Sequence, residues 1–293
     1  MPADDLVLER ALNQIVQSLR KNQKFFLFLN LYDVHWPYPT SNTSVLSSWR
    51  SARGCVENLT FPFVLPKIGA HAYLSDDFRI SNWSRSMLMR RYHQAIALAD
   101  ARLAAFWTSL RDTGAFDNTL IIMTSDHGEA FGEHRLYMHD ASVWDVHLRV
   151  PLWIHYPGLS HAKVDQVVST RDLFGVMRSA LSRQMARTIL SEDYRGEHPL
   201  AFAEHYFYPH AKRAAPRFRH NLGAIIGHDA KLILNGEAIE EYDLSSDPAE
   251  ATGFSSSLEE FANRFTSNSL KSAILLQAQM QRSKWRDTAA ALL

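Results

Sequence analysis

The feature that most constrains this chain is an alternation between two hydrophobic periods. Continuous apolar runs, Phe25–Leu31 (FFLFLNL), Thr119–Thr124 (TLIIMT) and Pro151–Tyr156 (PLWIHY), are separated by segments whose apolar residues recur every three or four positions. A short run without polar alternation suits a strand covered on both faces, as in a parallel sheet between helices. The helical period covers residues 5–20, where Leu8, Leu12, Ile15 and Leu19 share a face and Asp4 or Asp5 is placed as N-cap. It returns over about Ser84–Asp112 through Leu88, Tyr92, Ile96, Ala99, Leu103, Phe106 and Leu110, with Gly114 as the stop. Val164–Ser169 reads as a further strand and Asp172–Leu181 as a further helix. Helices alternating with short buried strands predict an α/β layered fold with a mostly parallel sheet.

After about Pro199 the pattern changes. Leu200–His205, Leu222–Gly227, Lys231–Leu234 and Ala238–Asp243 read as short strands with little helix between them, followed by a helix over about Leu258–Arg282. This predicts a smaller antiparallel unit. The stretch Tyr32–Ser81, broken by Pro37, Pro39, Pro62 and Pro66, reads as a long functional loop.

Charge narrows the function classes. Lys plus Arg equals Asp plus Glu at 31 each in 293 residues. A nucleic-acid binder shows a basic excess, and none is present. A single cysteine, Cys55, excludes a disulfide within the chain. N-glycosylation patterns occur at Asn42, Asn58 and Asn82, and matter only in a secreted eukaryotic protein. No apolar run reaches the length of a membrane span. Met1–Arg10 carries Asp4, Asp5 and Glu9 and no apolar core, so it does not read as a signal peptide.

The chemistry gathers at strand ends. Ser125-Asp126-His127-Gly128-Glu129 follows TLIIMT directly, and open α/β sheets bind ligands beyond the carboxyl ends of their strands. An Asp followed by a His offers a hard oxygen and an imidazole nitrogen, which suits a divalent cation; a turn capped by Asp126 is the other reading. His35, in Tyr32-Asp33-Val34-His35-Trp36-Pro37-Tyr38, sits after FFLFLNL and could donate a proton to a leaving oxygen, or be a histidine packed in an aromatic loop. His139 lies thirteen residues past Asp126, with His134 between them. The convergence of these residues on two strand ends points to a metal-assisted hydrolytic site.

Taken together, these motifs resemble the sulfatase family of the alkaline phosphatase superfamily. Phe25–Tyr38 resembles the family's strand and His-x-Pro segment. Ala99–Gly158 matches in order: Asp100 on a helix, Asp117-Asn118-Thr119, the SDHGE core, Gly132-Glu133-His134, His139 and Arg149-Val150-Pro151-Leu152. Val168–Phe174 resembles the next strand and helix start, and Lys231–Glu250 the closing segment. The resemblance implies an incomplete alkaline-phosphatase-like α/β sandwich over 1–195 and a C-terminal α+β subdomain over 196–293. It implies Asp126 and His127 as a pair of metal ligands, His35 as a contact to the ester and leaving group, and His139 as a contact to the transferred sulfate or phosphate. It further implies calcium as the ion, with manganese, zinc or magnesium compatible with His127, and a sulfated small molecule or glycan as substrate.

One departure is large. The family carries a Cys or Ser nucleophile in a Cys/Ser-x-Pro-x-Arg motif, and Arg53-Gly54-Cys55-Val56-Glu57 does not fit it. Neither Asp4-Asp5 nor Asp76-Asp77 resembles the family's first metal pair. The chain is therefore expected to be a C-terminal portion, inactive alone, that could associate with the missing N-terminal half. Phosphoester hydrolysis or phosphoryl transfer on the same scaffold, and a non-catalytic binding protein, stay open as alternatives.

Overall fold

A single segment can be apolar and extended without being a strand, because a strand exists only where a ladder partner lies beside it. The computed structural model describes residues 3–38, 78–139, 142–158, 161, 163–182, 200–206, 215–216, 220–235, 238–264 and 268–291. Across 25–31 it assigns no strand. Phe25, Leu27 and Leu31 pack against a buried cluster, while Phe26 and Phe28 are 76% and 83% exposed. The two-residue alternation is that of extended backbone, but no described residue forms a ladder with it. The expected strand at 164–169 is also absent, with Val164 exposed.

The chain divides into two compact units, Met1–Ile122 with Trp153–Leu159, and Met123–Leu152 with Ser160–Leu293. The domain boundary expected near 195 falls in 183–199, outside the described residues, as do Cys55, Asn42, Asn58 and most of the Tyr32–Ser81 loop.

In the first unit, α1 (Ala3–Arg20) packs on α2 (Asn82–Asp112). Leu8, Ala11 and Ile15 of α1 meet Phe106 and Leu110 of α2, with Ala115 beside them. Asp4 and Asp5 lie inside the first turn of α1, not at its cap. Their carboxylates still complement the exposed N–H groups there. Ser81 caps α2, its Oγ accepting from Ser84 N at 3.1 Å. On α2 the buried stripe runs through Leu88, Ala95 and Phe106, and Ile96 is exposed. Two helical turns are 7.2 residues, so Ala95 rather than Ile96 follows Leu88 into the core. Gly114 ends the helix at φ +73°, a conformation that costs glycine nothing.

Two short strands, β1 (Ile121–Thr124) and β4 (Leu152–His155), pair with each other. They are the strands expected at TLIIMT and PLWIHY. Between them β2 (Ala130–Phe131) and β3 (Tyr137–Met138) form an antiparallel hairpin, followed by the single-turn helix α3 (Asp145–Leu148). Helix α4 (Asp172–Ser182) matches its expected span closely.

The second unit is built on an antiparallel sheet in the order β5 (Ala201–His205), β6 (Leu222–Ile226), β7 (Ala230–Asn235), β8 (Ala238–Asp243), β9 (Phe254–Ser255). Four of these strands agree with the sequence expectation, and β9 is additional. The expected final helix is two helices, α5 (Leu258–Asn263) and α6 (Asn268–Ala291). A capping box on Ser257 and Glu260 starts α5. Strand β7 is buried on both faces. Leu232 and Leu234 join Ile225 against Phe261, Ile274 and Ala278, while Ile233 faces Val143, Ala224 and Tyr242.

Lys231 lies on the same side of the pleat as Ile233 and is fully buried. Its Nζ reaches Asp145 Oδ1 at 2.7 Å and Glu250 Oε1 at 2.6 Å. Glu250 Oε2 also accepts from Asp145 N at 2.7 Å. This triad ties α3 to the closing segment after β8.

Candidate active site

The turn after β1 is fixed by its own polar groups. Ser125 Oγ donates to His127 O at 2.8 Å, and His127 N donates to Asp126 Oδ1 at 3.0 Å. Asp126 therefore holds its own turn and caps no helix. Gly128 N donates to His147 O at 2.8 Å, and a Cβ on Gly128 would meet Val146 O at 2.1 Å. Close backbone approach, not a positive φ, is what requires glycine here.

This geometry leaves a donor pair at the surface. His127 Nδ1 lies 2.9 Å from Gly128 O, so Nδ1 carries the hydrogen and Nε2 carries the lone pair. Nε2 is 3.7 Å from Asp126 Oδ2, and the Asp126 side chain is 78% exposed. A ring hydrogen bonded to a backbone carbonyl is the usual support of a metal-binding histidine. The nitrogen and oxygen are near enough to share one cation. Among the described residues, no group of three or more His, Cys, Asp or Glu side chains is arranged to hold a metal ion. The donor set therefore fits two ligands of a divalent ion and supplies no third.

The hairpin brings His139 to the same place. Its ring lies parallel to His127, with centroids 4.3 Å apart and planes at 21°. Its Nδ1 is 3.2 Å from Glu129 Oε1. The hairpin is strained: His134 and Arg135 in its turn and Met138 at the end of β3 all have positive φ. Such strain concentrates at functional sites. His134 itself stacks on Trp144 at 3.8 Å, and burial pushes its pKa down.

His147, on α3, was not singled out by sequence reasoning. It is buried, with Nε2 on Met138 O at 2.8 Å and Nδ1 on Ser142 Oγ at 2.5 Å. Burial lowers its pKa. A neutral ring donating through Nε2 and accepting through Nδ1 satisfies both contacts. It braces the hairpin end that carries His139. Its role is set by tertiary contacts alone, because one histidine in a helical turn gives no sequence signal.

His35 belongs to the first unit. Its Nδ1 lies 2.7 Å from Trp36 O, and its ring packs beside Tyr32. The Trp36–Pro37 bond is cis. Neighbouring Asp33 is buried and paired with Arg102, which also binds Asp5 at 2.7 Å. Asp4 Oδ2 accepts from Tyr32 N at 2.8 Å. The Asp33 carboxyl is pushed up to about 6, first by burial and then by the Asp4 carboxylate. Asp4, Asp5, Asp33 and Arg102 thus anchor the loop that carries His35, a role their positions in sequence do not suggest.

Comparison with known proteins bears on the family. A sulfatase family model matches residues 1–181. Arylsulfatase K of Xenopus laevis is 29% identical over 192 residues, covering 59% of this chain and 35% of the relative. The chain thus spans about a third of the length of the curated relatives it matches first. Among solved structures, yidJ of Bacteroides fragilis aligns with a TM-score of 0.62 at 16% identity, covering 97% of this chain and 59% of that one. A protein solved with its substrate D-glucosamine-2-N,6-O-disulfate aligns with a TM-score of 0.54 at 17% identity, covering 96% and 70%. The family model extends over more than half of the 293 residues and begins with α1, so the chain belongs to the sulfatase family of the alkaline phosphatase superfamily, a family of sulfuric ester hydrolases.

Proposed function

We propose that this chain supplies one half of the metal site and the ester-contacting histidines of a metal-dependent sulfate ester hydrolase. Asp126 and His127 act as metal ligands, His35 contacts the leaving group, and His139 contacts the transferred sulfate. The observation that carries the reading is the pairing of Asp126 Oδ2 with His127 Nε2 at 3.7 Å, with Nδ1 engaged by Gly128 O. A divalent ion bound there, calcium on the family's pattern, would neutralise charge building on the ester oxygens. The substrate class is a sulfated small molecule or glycan, in line with the disulfated glucosamine named for a structural neighbour.

The nucleophile and the other metal ligands come from a portion of the fold outside these residues, so this chain does not turn over alone. On this reading the family's mostly parallel sheet is completed there too, and residues 1–195 are the remaining part of the family's catalytic domain with 196–293 its C-terminal subdomain, a functional division distinct from the two compact units. The direct test is a titration with calcium, then manganese, magnesium and zinc, followed by NMR of the histidine rings. Two ligands place the dissociation constant on the order of 10⁻³ M or weaker. His127 signals should shift, and Asp126→Asn should abolish the shift. Saturable binding that leaves His127 unmoved would refute the assignment.

A further inference from the structure

His35 is placed by the turn that carries it. His35 N donates to Tyr32 O at 3.0 Å, and the two rings pack side by side. Tyr32 N donates in turn to Asp4 Oδ2 at 2.8 Å. The next residue, Asp33, enters the interior, where its side chain is 6% exposed and Oδ1 accepts from Arg102 Nη1. Arg102 Nε also binds Asp5 Oδ1 at 2.7 Å. Three carboxylates thus gather beside one guanidinium, and Asp4 and Asp33 are both buried. Asp33 Oδ2 is buried with no hydrogen-bond partner among the described residues. The Asp4 carboxyl lies within hydrogen-bonding reach of the Asp33 carboxyl. Two ionised carboxylates can only accept, so this contact closes only when one of them carries a hydrogen.

We propose that Asp33 is a positioning residue for His35, and that a hydrogen shared between Asp33 and Asp4 sets how firmly the His35 loop is held. With that hydrogen in place, Asp33 donates to Asp4 and still accepts from Arg102. Without it, the two buried carboxylates repel each other and the loop is released more often. The charged groups around Asp33 are Asp4 and Asp5 from α1 and Arg102 from α2, and His35 stands two residues further along its own loop. Burial, and then the Asp4 carboxylate, push the Asp33 pKa up to about 6. The anchored loop therefore binds the hydrogen more tightly than a released loop does. Anchoring is fully present below the ordinary carboxylate value of about 4 and is lost as pH rises through about 6. The proposal rests on the sulfate ester reading for what His35 does; the anchoring itself does not depend on it. Asp33 touches no reacting atom.

The test uses the 293-residue chain with ¹⁵N labelling. Hydrogen exchange is measured at the Tyr32 and His35 amides, each relative to its intrinsic rate at that pH. In the wild type, protection of both should fall about tenfold per pH unit between about pH 4 and 6 and level off above. Asp33→Asn cannot ionise, and its amide can donate to Asp4 while its oxygen accepts from Arg102. Protection in that variant should stay high and independent of pH, a profile that a carboxylate with only a structural role would not give. Asp33→Ala should show low protection throughout. His35→Gln should keep the wild-type profile at Tyr32, because the titrating group is not the His35 ring.

Protection that does not change with pH in the wild type overturns the proposal. So does a pH dependence that persists in Asp33→Asn or vanishes in His35→Gln. If the alanine variant does not fold, the wild type, Asp33→Asn and His35→Gln decide alone. The His35 ring signals are then followed while p-nitrophenyl sulfate is added at about pH 5, where the loop is anchored. A ring that ignores the ester, with the exchange profiles as described, upholds the positioning role and counts instead against the sulfate ester reading.

Discussion

Replacing Lys231 by Met should destabilise the second unit far more than loss of an ordinary surface ion pair. The ammonium has no solvent exposure, and its partners Glu250 and Asp145 are 1% and 17% exposed. Methionine approximates the volume, so little cavity forms and the loss is electrostatic. Removing one member of a buried pair costs about 3–5 kcal/mol, because the remaining charge is left without compensation. Glu250 is the charge left behind. Burial already raises its pKa, opposed chiefly by Lys231. The folded state thus binds this proton more tightly than the unfolded chain does, and stability falls as pH rises from the ordinary glutamate value through the raised one. Without Lys231 the folded value rises further and the window widens upward. Urea unfolding followed by circular dichroism should therefore show a loss of about 3–5 kcal/mol at pH 7 and a smaller one at pH 5. Adding Glu250→Gln to Lys231→Met should recover part of the loss. A loss under about 1 kcal/mol, the scale of a surface pair, or an equal loss at both pH values, would refute the reasoning.

Three further expectations test other parts of the molecule. Gly128→Ala places a methyl against Val146 O, so it should cost about 1–3 kcal/mol and disturb the His127 and His139 ring signals; unchanged ring signals would show that the approach is not required. Asp33 should titrate near 6 in a carboxyl ¹³C experiment, with stability of the first unit falling as pH rises from about 4 through that value, because the folded state holds the proton more tightly; a midpoint near 4 would contradict the burial argument. The chain alone should leave p-nitrophenyl sulfate at the buffer rate with or without calcium, and metal-dependent hydrolysis would show that a nucleophile lies within it.

The helices were the most legible part of the fold. Apolar residues at three and four apart placed α1, α2 and α4 within a few residues of their observed ends, because a helix satisfies its own backbone and needs only one buried face. The strands were less so. TLIIMT and PLWIHY are paired, FFLFLNL is not, and all three are short, mainly apolar runs. Pairing depends on what lies alongside, and composition carries no record of the neighbour. Lys231 shows the same limit in the core. In sequence it is a polar residue in an apolar run, and only the placement of Asp145 and Glu250, 86 residues before it and 19 after it, explains its burial.

At the candidate site, the sequence by itself determined the donor types and their order: Asp126 and His127 after a strand, His139 thirteen residues later, His35 after another apolar run. Those follow from residue identity and spacing along the chain, which need no tertiary partner to be read. Tertiary structure alone decided that His139 lies parallel to His127, that Glu129 Oε1 lies beside its Nδ1, and that His147 braces the hairpin from a neighbouring helical turn. The physical reason is range. Residue type and short spacing set what a side chain can donate, whereas the hairpin register and the approach of α3 to Gly128 set what it touches.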